Sequence, residues 1–210
     1  IDEVRRAVSA DEPITSLVDV ETAETKPVEV VDLMTPYLAA LRELVDVEAI
    51  RNAGLHVVID PLYGAGRNYL ATLLRDMGVD VTEINNACDP TFDGLHPEPI
   101  PPWVDRGLAK AAEVKADALF INDGDADRIG AGDAEGNFVN PHRIITLVTK
   151  HMANRGATGR VVSTVTASAL LERLCRNLGL EFVSTPVGFK WIHGEMEKGG
   201  VMIGGEESGG

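Results

Sequence analysis

Three aspartates alternate with two small residues at positions 123–128, where the chain reads Asp-Gly-Asp-Ala-Asp-Arg. In an extended or tightly looped backbone the side chains at i, i+2 and i+4 point the same way, so Asp123, Asp125 and Asp127 are predicted to converge. Close like charges repel by about 1–4 kcal/mol per pair at a surface-like dielectric, which favours a bound cation. Oxygen-only ligands suit Mg²⁺ or Mn²⁺, with room left for water and a phosphate oxygen, and Arg128 adds a positive charge beside the site.

Two alternatives to this metal site start from the same residues. Most Asp-x-Asp segments are solvated acidic turns, but here Gly124 and Ala126 clear space for a cation. A calcium-binding EF-hand loop requires glycine at its sixth position and glutamate at its twelfth. Arg128 and Ala134 stand at those positions, so the EF-hand is rejected and the metal site is favoured over the plain turn.

A second candidate is the glycine-rich run 204–210, which follows a predicted strand over 201–203. Glycines let a backbone approach a ligand closely, and one carboxylate and one hydroxyl are groups that hydrogen-bond neighbouring sugar hydroxyls. Glu206 and Ser208 are therefore candidate sugar ligands. A mobile glycine-rich tail fits the same spacing equally well.

The third candidate is the segment 185–190, Thr-Pro-Val-Gly-Phe-Lys, at a predicted junction between a strand and a helix. A helix N-terminus with Thr185, Gly188 and Lys190 could hold a phosphate or a polar substrate. A capped helix start with a surface lysine explains the same residues more simply. The glycines at 64 and 66 resemble a dinucleotide fingerprint, but Tyr69 takes the third glycine position, so a structural turn is predicted there.

Composition restricts the classes of partner. The net charge of −14 repels nucleic acids and anionic lipid surfaces but favours divalent cations. No apolar run approaches the ~20 residues of a membrane-spanning helix, so no membrane partner is expected. Cys88 and Cys175 have no metal-type spacing, and both are predicted to be small core residues. A reducing, cytoplasmic location follows from this cysteine content.

The hydrophobic pattern predicts an α/β fold, with two tandem α/β units whose mixed, mainly parallel central sheets are flanked by helices. Residues 1–32 are interpreted as a connecting arm with a short helix over 1–10, and residues 33–52 as one amphipathic helix. Glycines at 156 and 159 suggest a boundary. The predicted domains are 33–155, with the acidic loop, and 156–210, with the glycine-rich loop.

Together, the motifs at 123–128, 185–190 and 205–209 resemble those of the α-D-phosphohexomutases, which include phosphoglucomutases and phosphomannomutases. The resemblance covers roughly residues 31–210 and looks like the second domain of that family and most of its third. It implies that Asp123, Asp125 and Asp127 bind Mg²⁺ alongside a phosphoserine, and that Arg128 supports that phosphate or the substrate. It also places Thr185, Gly188, Lys190, Glu206 and Ser208 in substrate binding, the last two against sugar hydroxyls.

The function implied by this resemblance is Mg²⁺-dependent interconversion of hexose 1- and 6-phosphates through a phosphoserine and a hexose 1,6-bisphosphate. The family's Thr-Ala-Ser-His-Asn-Pro-like serine loop is not found in these 210 residues, and Ala169 and Leu170 after Ser168 show that 166–168 does not replace it. A phosphoserine is therefore expected upstream, with the first and fourth domains elsewhere in the same polypeptide. Gly210 stands where relatives often have a histidine, so no catalytic residue is assigned here.

Two functions remain open at this point. The chain is either part of such an isomerase or a metal- and sugar-phosphate-binding module with no catalytic activity of its own. A serine loop encoded before Ile1 would distinguish them.

Overall fold

The structure, a computed structural model, describes residues 30–210. The predicted helix over 1–10 and most of the predicted connecting arm lie outside these residues. The chain divides into two units, Ile1–Leu41 and Arg42–Gly210. The larger unit contains all the candidate site residues. Within the described residues, no helix is both long and apolar enough to cross a membrane.

The predicted single helix over 33–52 is wrong, because two helices occupy this segment. They are α1, Met34–Leu44, and α2, Val47–Asn52. Asp46 begins the second helix by accepting a hydrogen bond from the Ala49 amide at 2.9 Å, and this side-chain cap competes with a continuous helix. None of the residues of α1 is buried.

The first sheet lies between residues 56 and 139. Its strands are β1 His56–Asp60, β2 Asp80–Glu83, β3 Ala118–Asn122, β4 Ile129–Gly132 and β5 Phe138–Val139. The strand order is β2-β1-β3-β4-β5. β1 pairs in parallel with β2 and β3, and an antiparallel extension runs from β3 through β4 to β5. Helices α3, Tyr69–Asp76, and α4, Asp105–Val114, precede β2 and β3.

Strand β1, which lies between β2 and β3, is apolar at successive positions because helices cover both faces of the sheet. Val58 packs with Leu119 and with Ala111 of α4 on one face. Val57 and Ile59 belong to a second cluster with Ala71 of α3 on the other face. This three-layer arrangement leaves the ends of the strands free to carry loops.

The second sheet consists of β6 Arg160–Thr164, β7 Phe182–Thr185 and β8 Val201–Gly205. Its strand order is β7-β6-β8, and all three strands are parallel. The helices are α5 Pro141–Asn154, α6 Ala169–Leu178 and α7 Phe189–Glu197. The predicted α/β class with two flanked, mainly parallel sheets is confirmed.

Two local predictions about the sequence need correction. Gly204 and Gly205 belong to β8, not to the loop, because they pair with Val162 and Ser163 of β6. A Cβ on Gly204 would lie 2.6 Å from Ile192 and Met196 of α7, so only glycine fits there. Cys175 is a buried core residue as predicted, but Cys88 is exposed.

Candidate metal centre and the adjoining glycine loop

The acidic loop connects the end of β3 to the start of β4 at the carboxyl edge of the parallel strands. It turns through Ala126, whose φ of 65° is left-handed. One carboxylate oxygen from each of Asp123, Asp125 and Asp127 lies within 4.8 Å of the others. Asp123 is buried, and the other two are exposed. The predicted convergence of three carboxylates is therefore present in the geometry.

The Asp123 carboxylate is held from its own loop. The Arg128 amide donates to Oδ1 at 3.0 Å, and the Arg128 Nε lies 3.7 Å from Oδ2. Burial raises the pKa of Asp123, and the neighbouring Asp127 and Asp125 raise it further, while the hydrogen bond from the Arg128 amide opposes them. A cation would relieve this desolvation and repulsion.

Arg128 is oriented by a residue that the sequence did not indicate. Its guanidinium Nη1 lies 3.3 Å from Glu98 Oε1, and its Nε lies 3.7 Å from Asp127 Oδ1. Glu98 comes from the proline-rich segment that packs beside the acidic loop. The positive charge of Arg128 therefore lies beside the acidic loop, in an orientation fixed by Glu98 and Asp127.

Backbone contacts on two sides hold the acidic loop. The Gly124 amide donates to the Pro97 carbonyl at 3.0 Å, and the Ala65 amide donates to the Gly124 carbonyl at 2.8 Å. A Cβ on Gly64 would lie 2.6 Å from the Gly124 oxygen, so only glycine fits there. The 64–66 segment therefore acts as the structural turn that its sequence predicted.

These residues fit a small divalent cation. All three side chains offer oxygen donors of the kind that Mg²⁺ prefers, and the exposed Asp125 and Asp127 face solvent that can supply further ligands. Gly124 and Ala126, which separate the three aspartates in the sequence, add no bulky side chain between the carboxylates.

The glycine loop follows β8 and closes on itself. The Glu206 amide donates to the Gly210 carbonyl at 3.0 Å, and the Gly209 amide donates to the Glu206 carbonyl at 3.2 Å. The Ser208 hydroxyl donates to Glu206 Oε1 at 2.9 Å. Glu206 Oε2 is buried and has no hydrogen-bond partner among residues 30–210. This oxygen is an acceptor without a donor.

The two loops touch each other. The Ile129 amide, immediately after the acidic loop, donates to the Gly209 carbonyl at 3.1 Å. Gly209 has a φ of 102°, and a Cβ there would lie 2.8 Å from the Ile129 oxygen and 3.3 Å from the Arg128 Cβ. Residues about 80 positions apart in sequence are thus joined into one candidate site.

Glu207 is a second residue that sequence reasoning missed. Its Oε2 accepts a hydrogen bond from the Thr164 hydroxyl at 2.7 Å, at the end of β6. Burial raises the pKa of Glu207, but hydrogen bonds from Thr166 and Thr164 outweigh it and hold the pKa below its usual range. No local signal marks Glu207, because its partner Thr164 lies 43 positions away in the sequence.

The third motif is only loosely connected to these loops. Thr185 is buried, and its hydroxyl donates to the Pro186 carbonyl at 3.2 Å. Gly188, with a φ of 117°, precedes α7, and the exposed Lys190 holds its Nζ 5.3 Å from the Trp191 ring. In the described part of the chain, no hydrogen bond or ion pair joins Thr185, Gly188 or Lys190 to either loop.

Two family models match the chain in sequence order. The α/β/α domain II of phosphoglucomutase/phosphomannomutase matches residues 35–136, and the α/β/α domain III matches residues 140–210. The chain belongs to the phosphoglucomutase/phosphomannomutase family. The predicted resemblance to the phosphohexomutases is confirmed.

Individual members of the family agree. A phosphoglucomutase of Komagataeibacter xylinus is 32% identical over 191 residues, covering 85% of this chain and 34% of that protein. A phosphoglucosamine mutase of Caldanaerobacter subterraneus is 33% identical, covering 82% of this chain and 38% of that protein. The chain thus spans between a third and two fifths of the length of these curated relatives.

Solved structures of the family share the fold. A provisionally assigned phosphomannomutase from Thermus thermophilus is 37% identical, with a TM-score of 0.82 over 86% of this chain and 42% of that one. An Aspergillus fumigatus N-acetylphosphoglucosamine mutase, solved with GlcNAc-6P and magnesium, is 24% identical with a TM-score of 0.62 over 84% of this chain and 39% of that one. The second likeness concerns the fold alone.

Proposed function

We propose that this chain is the central part of a Mg²⁺-dependent hexose-phosphate mutase, an isomerase that interconverts sugar 1- and 6-phosphates through a phosphoserine and a bisphosphate. The observation that carries the proposal is the hydrogen bond between Ile129 and Gly209. It joins a convergent carboxylate triad to a loop in which Glu206 Oε2 has no hydrogen-bond partner within the described residues. A phosphoryl-transfer site needs both features, one for charge and one for the polyol.

Asp123, Asp125 and Asp127 would hold the magnesium ion in this proposal. Magnesium, when bound, neutralises charge on the transferring phosphoryl group. Arg128, oriented by Glu98, would contact the phosphate from the side. The phosphoserine, and with it the nucleophile, would come from a segment outside these 210 residues.

Substrate recognition is proposed for the glycine loop and the start of α7. Glu206 Oε2 would accept from a sugar hydroxyl, and Ser208, already bonded to Glu206, would orient it. Gly188 and Lys190 would meet the phosphate at the α7 N-terminus, and buried Thr185 would support that turn. The substrates are hexose phosphates and the hexose 1,6-bisphosphate.

The domain organisation belongs to the same proposal. Residues 33–155 would form the metal-loop domain, 156–210 part of the sugar-loop domain, and 1–32 a connecting arm. First and fourth domains of the same polypeptide would complete the site. A cytoplasmic location without nucleic-acid or membrane partners is proposed from the net charge of −14 and the cysteine content.

A metal- and sugar-phosphate-binding module without catalysis is the second candidate, because no serine loop of the family type occurs in these 210 residues. It would bind the same ligands through the same loops. Turnover by the whole encoded polypeptide separates the two candidates.

The test is a coupled mutase assay on the polypeptide encoded by the whole open reading frame, with glucose, mannose and glucosamine phosphates. We expect Mg²⁺-dependent interconversion of at least one of them, and a loss of about 100-fold or more in Asp125→Ala. Asp80→Ala, at the exposed opposite end of the first sheet, should retain activity. Binding of sugar phosphate without turnover would establish the second candidate, and full activity in Asp125→Ala would refute the metal assignment.

A further inference from the structure

A buried carboxylate outside the candidate site lies at the carboxyl end of β1 in the first sheet. Asp60 has no exposed surface, and none of the proposed chemistry uses it. It pairs in register with Ile121 of β3, two residues before Asp123. We propose that Asp60 is a positioning residue for the acidic loop, acting through the turn at 61–66; this inference rests on the proposed metal site.

Asp60 organises that turn with three hydrogen bonds. The Leu62 amide donates to Oδ1 at 2.9 Å, and the Asn85 side-chain amide donates to Oδ1 at 2.9 Å and to Oδ2 at 3.0 Å. The Tyr63 amide in turn donates to the Asn85 carbonyl at 2.8 Å. Asp60 and Asn85 therefore hold Leu62 and Tyr63 of the turn in place by hydrogen bonds to their amides.

The turn needs this support because its backbone is unfavourable. Leu62 and Tyr63 have φ values of 46° and 60°, two consecutive left-handed residues that are not glycine. Side chains with a Cβ disfavour that conformation, and it persists only where surrounding contacts impose it. The Arg67 guanidinium, bonded to the Tyr63 and Gly64 carbonyls, adds a further constraint.

The turn contacts the backbone of the acidic loop directly. The Ala65 amide donates to the Gly124 carbonyl at 2.8 Å. Gly64 lies against the same peptide, since a Cβ on it would come within 2.6 Å of the Gly124 oxygen and 2.8 Å of the Asp123 oxygen. A displaced turn would therefore displace the backbone between the first two carboxylates of the triad.

Stability alone does not account for an acid at this place. Burial raises the pKa of Asp60 above its ordinary value, although the Leu62 and Asn85 bonds oppose that shift. A group whose charged form is disfavoured in the fold is a poor stabiliser at neutral pH. Its hydrogen bonds are instead well suited to fixing one geometry of the turn.

The experiment measures Mn²⁺ binding to the full chain by electron paramagnetic resonance, together with hydrogen exchange of the Ala65 amide. Asp60→Asn puts an amide opposite the Asn85 amide, and we expect it to weaken Mn²⁺ binding by about tenfold or more. Asn85→Gly keeps the left-handed backbone of that residue and removes only its side-chain bonds, so it should show a smaller loss. Both variants should exchange the Ala65 amide faster than wild type.

The swap variant, Asp60→Asn with Asn85→Asp, tests the pairing itself. It keeps an acceptor for the Leu62 amide and restores one carboxylate–amide pair, so most of the Mn²⁺ affinity should return. Val161→Ala, a core change in the second sheet, controls for general destabilisation and should leave affinity unchanged. If Asp60→Asn does not fold, Asn85→Gly and its Ala65 exchange decide the question.

The proposal is overturned if both Asp60→Asn and Asn85→Gly bind Mn²⁺ like wild type, if the swap recovers nothing, or if Val161→Ala loses as much affinity. Failure of the underlying metal site gives a different pattern. In that case the wild-type chain binds no Mn²⁺, or binds it equally well after Asp125→Ala, whatever residue stands at position 60.

Discussion

The two oxygens of the Glu206 carboxylate differ in their hydrogen bonding. Oε1 accepts from Ser208, whereas Oε2 is buried with no partner among the described residues. A buried acceptor without a donor is costly, and a sugar hydroxyl would satisfy it. This supports the proposal that the glycine loop binds the sugar, because every sugar hydroxyl can donate a hydrogen bond.

Glu206→Gln tests this role at the residue scale. The substitution keeps the shape but replaces one acceptor by a donor, so we expect transfer to sugar phosphate to fall by about 10- to 100-fold. Mn²⁺ affinity should stay unchanged. Single-turnover transfer from the phosphorylated full-length enzyme measures the first quantity, and Glu181→Gln, an exposed acid before β7, is the control. An equal loss of metal affinity would assign Glu206 to the metal site instead.

The buried Asp60 predicts a pH dependence with a definite sign. Because its pKa is raised in the fold, its contribution to stability is complete below the unfolded pKa of about 3.9 and is lost as the pH rises through the folded value. The free energy of unfolding of wild type minus that of Asp60→Asn should therefore fall as the pH rises from 4 to 7.5. Urea unfolding without metal at several pH values measures it; a difference that rises with pH contradicts the burial argument.

The aspartate triad could be predicted from local spacing in the sequence. The other residues of the candidate site could not, because their partners are distant in the sequence. Asp123, Asp125 and Asp127 alternate within one loop, so their convergence is a property of five residues. Glu98 reaches Arg128 across 30 positions, and Thr164 reaches Glu207 across 43. Such pairs depend on sheet order, which no local pattern specifies.

At the scale of the elements, the hydrophobic periods predicted which segments form helices and strands. The caps and glycines predicted less well where these elements begin and end. α5, Pro141–Asn154, begins at a proline, a residue that is typical of the first turn of a helix. The break at Asp46 was missed because apolar spacing continues across it, while the deciding contact is a single side-chain cap. Gly204 was assigned to a loop, yet it lies in β8, where it pairs with Val162 of β6 and where α7 packs too close for any larger residue.

Gly209 lies at the contact between the two loops, so a substitution there tests whether the loops act together. Gly209→Ala meets a left-handed backbone cost of about 1–2 kcal/mol and also clashes with the Ile129 backbone. Gly199→Ala has a similar φ of 74° but no atom within 4 Å, so it isolates the backbone cost alone. We expect only Gly209→Ala to lower single-turnover transfer to sugar phosphate beyond its effect on thermal stability. Equal effects of the two variants would mean that the loops act independently.

At the scale of the whole molecule, both loops occupy carboxyl edges of parallel strands within the unit Arg42–Gly210. In the proposed function, the first sheet supplies charge at the end of β3 and the second supplies an acceptor for a polyol after β8, so neither sheet alone would contain the site. The relatives are about two and a half to three times as long as the stretch matched here.

The isolated 210-residue chain should therefore fold, bind Mn²⁺ and fail to interconvert hexose phosphates. Phosphoryl transfer needs a nucleophile, and the only Thr-Ala-Ser sequence in the chain, 166–168, caps α6, where Ser168 accepts from the Leu170 amide at 3.2 Å. Its Mn²⁺ affinity should be weaker than that of the phosphorylated whole polypeptide, because a phosphoserine oxygen would add a ligand. Both proteins would be purified from a host deleted for its own mutases, with Asp125→Ala as the binding control. Substantial Mg²⁺-dependent turnover by the isolated chain would show that the nucleophile lies within these residues after all, and would redirect the search to the hydroxyls beside Glu207.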